Sequence, residues 1–330
     1  MSGIGDRFSR PRRLAPRLDK PRRPSPPEPR PIMTVCIAAL CRWNYPEDGD
    51  PDRRCAAVVT CSDRMQTDSG LGLEYESAIS KWGIICGRIS ILVAGNTVFH
   101  SDFIRKTMDR FEGENPSVTE VSEFYAACII ERRKDDAEKR YLAPLGLTME
   151  DFVSKQNSMK ESVVRELLDF IVGYDIDVEA IVCGCDGETS AHIFKISSIG
   201  LITCHDDIGF AAIGNGDVHA VTYLMSLPYW NGSSYSESAM ALYLAKKRSE
   251  AAPGVGRITD MSFLDRHTAL TLNPGVFAAL ESNYQIYNQD IAAARQKYWF
   301  KIYEATIGNL FSNHNQPDII LPPLLPPSPS

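Results

Sequence analysis

No apolar run in the 330 residues is long enough to span a bilayer, and the first 32 residues hold no apolar stretch of the kind a secretory signal needs. A membrane-embedded or exported protein is not expected. A disulfide framework is missing too, because the nine cysteines are an odd number scattered singly through apolar segments. That usage fits a reducing, cytoplasmic compartment. The one close pair, Cys183 and Cys185, has no second Cys/His pair to complete a zinc site; its spacing puts both thiols on one strand face, buried as small hydrophobes. His100, His192, His205, His219, His267 and His314 show no ligand spacing and are expected at the surface or satisfied in the core. "GNGDVHA" lacks a phosphate-binding lysine, and "GIGDRF" does not follow a strand. No metal or nucleotide cofactor is expected. Positive charge is scarce beyond residue 32: the net charge is −7 although residues 1–32 carry eight Arg and one Lys against two Asp and one Glu. The acidic remainder excludes nucleic acid as the main partner.

What is present is an ordinary globular composition, 44% hydrophobic and 23% charged. Residues 1–32, with eight prolines, are expected to be a disordered basic extension, or to lie upstream of a true start at Met33. Residues 312–330 read as a Pro-rich tail. Between them, "TVCIAALC", "CAAVVTCSDRM" and "KWGIICGRISILVAG" are short apolar runs without a helix-length spacer. They predict antiparallel strands, the first two joined by a long loop through "RWNYPEDGDPDRR".

A helical period follows. "HSDFIRKTMDRFE" places Phe103, Met108 and Phe111 near one face, and Ser117 with Glu120 forms a capping box before "VTEVSEFYAACII". Residues 133–160 read as a helical insertion leading to "ESVVRELLDFIVGY". Strands are expected again at "DVEAIVCGCDG", "SAHIFKISSIG", "LITCHDD" and "GFAAIGNG". Two helices follow, "DVHAVTYLMSLPY" and "SESAMALYLAKKRSEAA", then strands "GRITDMSFL" and "HTALTL". A long amphipathic helix from about Val276 is expected to close the core. Burying both helical stripes requires an α+β architecture, a four-layer αββα sandwich of two antiparallel sheets between helical layers.

The ordered set "TVCIAALC", "VVTCSDRMQT", "ISKW", "LVAGNT", "VEAIVCGCDGETSAHIFKISSIG" and "FAAIGNGDVHA" resembles the proteasome β-subunit-like branch of the N-terminal nucleophile (Ntn) hydrolases, over Thr34 to about Leu264. The resemblance implies the Ntn fold for residues 34–311 and a threonine-type amidohydrolase, a proteasome-like peptidase acting on peptide or acyl-amide substrates within a homo-oligomer that could be ring-like. It matches Thr34 to the nucleophile, whose own α-amine, freed by loss of Met33, serves as base. Asp63 matches the acidic residue on the second strand, Lys81 the buried lysine, Gly95 the oxyanion-hole glycine, and Asn215 a position where relatives often have Ser. An Asp and a Ser found in many relatives after the later helix have no counterpart at matching spacing in "AAPGVGRITD", and Asp260 lies too far along. Each residue also has a plain alternative. Asp63 could open a turn, Lys81 could protect a sheet edge, and Thr34 could be an ordinary strand threonine. A catalytically silent proteasome-fold subunit with an assembly role, or an acylase of small amides, are the competing functions.

Overall fold

The computed structural model describes residues 34–44, 54–68, 73–78, 80–303 and 306. The N-terminal extension, Met33, most of the long loop after the first strand and the Pro-rich tail lie outside these residues. The chain is a mixed α/β protein with two five-stranded antiparallel sheets. The first sheet is built on β1 (Cys36–Asn44), which pairs on one side with β2 (Arg54–Asp63) and on the other with β10 (Phe210–Ile213). β11 (Thr259–Leu264) adds to β2, and β12 (Ala269–Thr271) adds to β11. The second sheet runs in chain order through β5 (Trp82–Cys86), β6 (Ile89–Gly95), β7 (Val178–Cys185), β8 (Ala191–Ile196) and β9 (Ile202–Cys204). "KWGIICGRISILVAG" is thus two strands, turned at Gly87, whose φ of 32° lies where glycine is favoured. A short hairpin of β3 (Met65–Asp68) and β4 (Leu73–Glu76) follows β2 and was not expected from the sequence.

Strand alternation decides what packs where. Cys36, Ala38, Leu40, Val58, Ala211, Ile213 and Leu264 from the first sheet share one core with Leu92, Ala94, Ile181, Cys183, Cys185 and Ile193 from the second. The two sheets therefore face each other, and Cys183 and Cys185 are buried between them as expected. The opposite face of β1 and β2, through Val35, Ile37, Ala39, Val59 and Cys61, packs on α5 (Asp217–Ser226) and α6 (Tyr235–Ser249). α1 (Thr97–Arg110) lies against β5 and β6. His100 ties it down, with one ring nitrogen 2.9 Å from the Ala94 carbonyl and the other 2.7 Å from the Tyr125 hydroxyl. α2 (Val118–Ala137) begins at the expected box: the Ser117 N–H reaches Glu120 at 2.8 Å, and the Glu120 N–H reaches the Ser117 hydroxyl at 3.2 Å.

Two expectations need correction. The buried stripe of α1 is His100, Phe103 and Thr107, while Met108 is exposed. Spacing of three and four residues outweighs hydrophobicity here, because Thr107 satisfies its hydroxyl on the Phe103 carbonyl. α7 (Pro274–Tyr303) closes the core only with its first turns, through Val276, Phe277, Leu280 and Tyr284. Ile286, Tyr298, Trp299, Phe300 and Ile302 further along are exposed.

Arg132–Asp175 forms a separate compact unit. Its own small core is Leu142, Phe152 and Leu167, with Tyr141 stacked on Phe170, α3 (Met149–Lys155) supplying Phe152 and α4 (Glu161–Val172) supplying Leu167. The expected insertion over residues 133–160 covers most of it. Among the described residues, no helix is long and apolar enough to cross a membrane.

Candidate active site

Thr34 sits just before β1, and the strand pairing of β1 with β2 brings it to Asp63 at the far end of β2. Its hydroxyl donates to Asp63 Oδ1 at 2.5 Å and accepts a hydrogen bond from Lys81 Nζ. Lys81, immediately before β5, also donates to Asp63 Oδ1 at 2.8 Å. All three side chains are buried, with Asp63 fully excluded from solvent. The structure thus brings together three of the five expected residues, separated in sequence by 29 and 18 positions.

A carboxylate without solvent needs its lone pairs filled. Asp63 takes the Val35 N–H on Oδ1 at 3.0 Å, and on Oδ2 the N–H groups of Met65 at 3.0 Å and Gly256 at 2.8 Å. With Thr34 and Lys81 that makes five donors. Such saturation holds the carboxylate in one orientation. Lys81 then faces an anion on one side and a hydroxyl oxygen on the other. An ammonium at that oxygen stabilises the alkoxide that develops when the hydroxyl attacks.

The backbone of Thr34 is also held. Its carbonyl accepts from the Gly216 N–H at 3.1 Å, and a side chain at Gly214 would collide with it. Gly214, with φ of 86°, is therefore required both by conformation and by close approach. Asn215 lies between these two glycines, half-buried, and its side chain has no hydrogen-bond partner among the described residues. Gly95 ends β6 with φ of 100°, and a Cβ there would run into the Asp177 carbonyl. Its place at the strand end, two residues after Val93, puts it on the segment that already touches the site, since the Cys36 thiol donates to the Val93 carbonyl at 3.4 Å.

Cys36, two residues after Thr34, carries a second nucleophilic group near the site. Burial pushes its thiol up to about 12 against the opposing pull of Lys81, so it stays protonated and unreactive.

Several participants carry no signature in the sequence. Gly256, within "AAPGVGRITD", contributes only its N–H. Lys246 of α6, fully buried, donates to the Arg257 carbonyl at 2.8 Å and pairs with Glu250 at 2.6 Å, fixing the segment that aims Gly256 at Asp63. Ser249 Oγ holds the Gly216 carbonyl at 2.9 Å. Glu179 accepts from the Gly214 N–H at 3.0 Å, and Lys195 lies 3.9 Å from Glu179 and 3.5 Å from Asp217. Asp260 is buried in a bidentate pair with Arg64 and plays no direct part at Thr34.

No family model and no curated protein matches the chain.

Proposed function

We propose that the protein is a threonine-type N-terminal nucleophile amidohydrolase, a peptidase of proteasome-like kind. The observation that carries this reading is the bridge made by the Thr34 hydroxyl between Lys81 and Asp63 just before β1. Removal of Met33 would free the Thr34 α-amine, which has an ordinary pKa of about 7.7 to 8.0 and is partly neutral near pH 7. The hydroxyl attacks the substrate carbonyl and its proton passes to that amine. The amine then protonates the leaving nitrogen, and water hydrolyses the acyl-Thr34 ester by the reverse transfers. Lys81 lowers the energy of the alkoxide, Asp63 balances Lys81, and the Gly95 N–H is the proposed oxyanion donor.

The four-layer αββα arrangement belongs to the same reading. It is supported by sheets that share one core, by α5 and α6 on the outer face of the first sheet, and by α1 against β5 and β6. Assembly into a homo-oligomer and a cytoplasmic location complete the proposal, the latter supported by nine free cysteines.

A chain expressed from Met33 should cleave members of a broad peptide and acyl-amide panel, and Thr34→Ala should not. Equal turnover by the two proteins would reject Thr34 as the nucleophile. No turnover by either would favour the silent-subunit alternative.

A further inference from the structure

We propose that Ser190, His192 and Asp206 form a second acyl-transfer site, of serine type, separate from Thr34 and taking small activated esters. Ser190 and His192 flank the first residue of β8 and, two positions apart, share one face of the strand. Ser190 Oγ lies 2.7 Å from His192 Nε2, and His192 Nδ1 lies 2.7 Å from Asp206 Oδ2. Asp206 follows β9, the antiparallel neighbour of β8, and its other oxygen accepts the Ile193 N–H at 2.9 Å. That second bond fixes the carboxylate, and the carboxylate in turn selects the imidazole tautomer with hydrogen on Nδ1. The lone pair of Nε2 is then directed at the Ser190 hydroxyl. This is the order of groups that activates a serine: nucleophile, base, orienting carboxylate.

The surroundings agree with a reactive group rather than a structural one. His192 is 27% exposed, so a small reagent reaches it, and its ring is held nearly parallel to Phe194 at 6.1 Å. Asp186 stands 3.6 Å from His192 Nε2, where it would stabilise the imidazolium that forms when the base takes a proton. Asp186 also accepts the Val118 N–H at 2.9 Å, which fixes its carboxylate. None of these residues takes part at Thr34.

In the step proposed, Ser190 Oγ bonds to the ester carbonyl carbon as its proton moves to Nε2. The carbon to leaving-oxygen bond breaks and Nε2 returns the proton to the departing alkoxide. Water then cleaves the acyl-serine by the same transfers. Asp206 is a positioning residue.

The test is labelling with an alkyl fluorophosphonate, followed by peptide mass mapping, on the full chain and on Thr34→Ala. Ser154 and Ser158 serve as references, because each is exposed but donates only to a backbone carbonyl. Ser190 should label in both proteins at least about 10-fold faster than the reference serines, and His192→Gln should bring it down to their rate. Asp206→Asn should slow it as well. The proposal is overturned if the full chain gives no Ser190 adduct, if His192→Gln leaves the rate unchanged, or if Thr34→Ala abolishes the adduct. Because Thr34→Ala is expected to keep this labelling, the outcome is independent of the function proposed for Thr34.

Discussion

Asp63 has two oxygens and five donors, and an asparagine there could accept with only one atom. Asp63→Asn should therefore strand Lys81 as an uncompensated buried cation and cost about 3–5 kcal/mol in chemical denaturation, with loss of turnover. Lys81→Ala should cost a similar amount by the converse argument, and a double-mutant cycle of the two should show strong coupling rather than additivity. Thr34, Asp63 and Lys81 were legible only through the family resemblance that joins their motifs, since each alone also reads as an ordinary strand, turn or edge residue. Gly256, Met65 and Val35 were not, since a backbone N–H is common to every residue and only the folded path says where it points. Asn215 is the converse, a polar residue at the right position that acquires no partner among the described residues.

At the scale of elements, α1 rests on β6 through His100, which burial pushes down from 6.5 to about 4 despite its bond to the Ala94 carbonyl. The unfolded chain binds a proton here near pH 6.5 and the folded chain does not until about pH 4. Stability from this group is complete above pH 6.5 and falls as pH drops toward 4, by about 3 kcal/mol at most. Denaturation at pH 7.5 and 5.0 should show a smaller acid-dependent loss in His100→Gln than in the parent. For α7, Leu280→Ala should cost about 2 kcal/mol because that residue is buried in the core that the first sheet shares with α5 and α6. Ending the chain after Tyr287 should change stability by less than about 0.5 kcal/mol, since most of the described side chains beyond it are exposed. A midpoint shift as large as that of Leu280→Ala would show that the rest of α7 is also held. The strands were readable from alternation and the capping box at Ser117 from spacing. The burial of Thr107 in place of Met108, and the exposed length of α7, depend on what each helix packs against. A single helix sequence does not contain that.

At the scale of the whole molecule, β1 is an interior strand of the first sheet, held between β10 and β2. Thr34, just before that strand, is held by its pairing partners and buried. An assembled protein is expected, and light scattering at micromolar concentration should give a mass above one chain. The claim on which all of this turns is that Thr34 reacts through both its hydroxyl and a free α-amine. Peptide epoxyketones test both groups together, because the stable adduct closes a ring through the two atoms. Intact mass and fragment mapping after treatment should show a chain that begins at Thr34 and carries one adduct on that residue, absent from Thr34→Ala. A protein verified to begin at Thr34 that gains no such adduct would contradict the account.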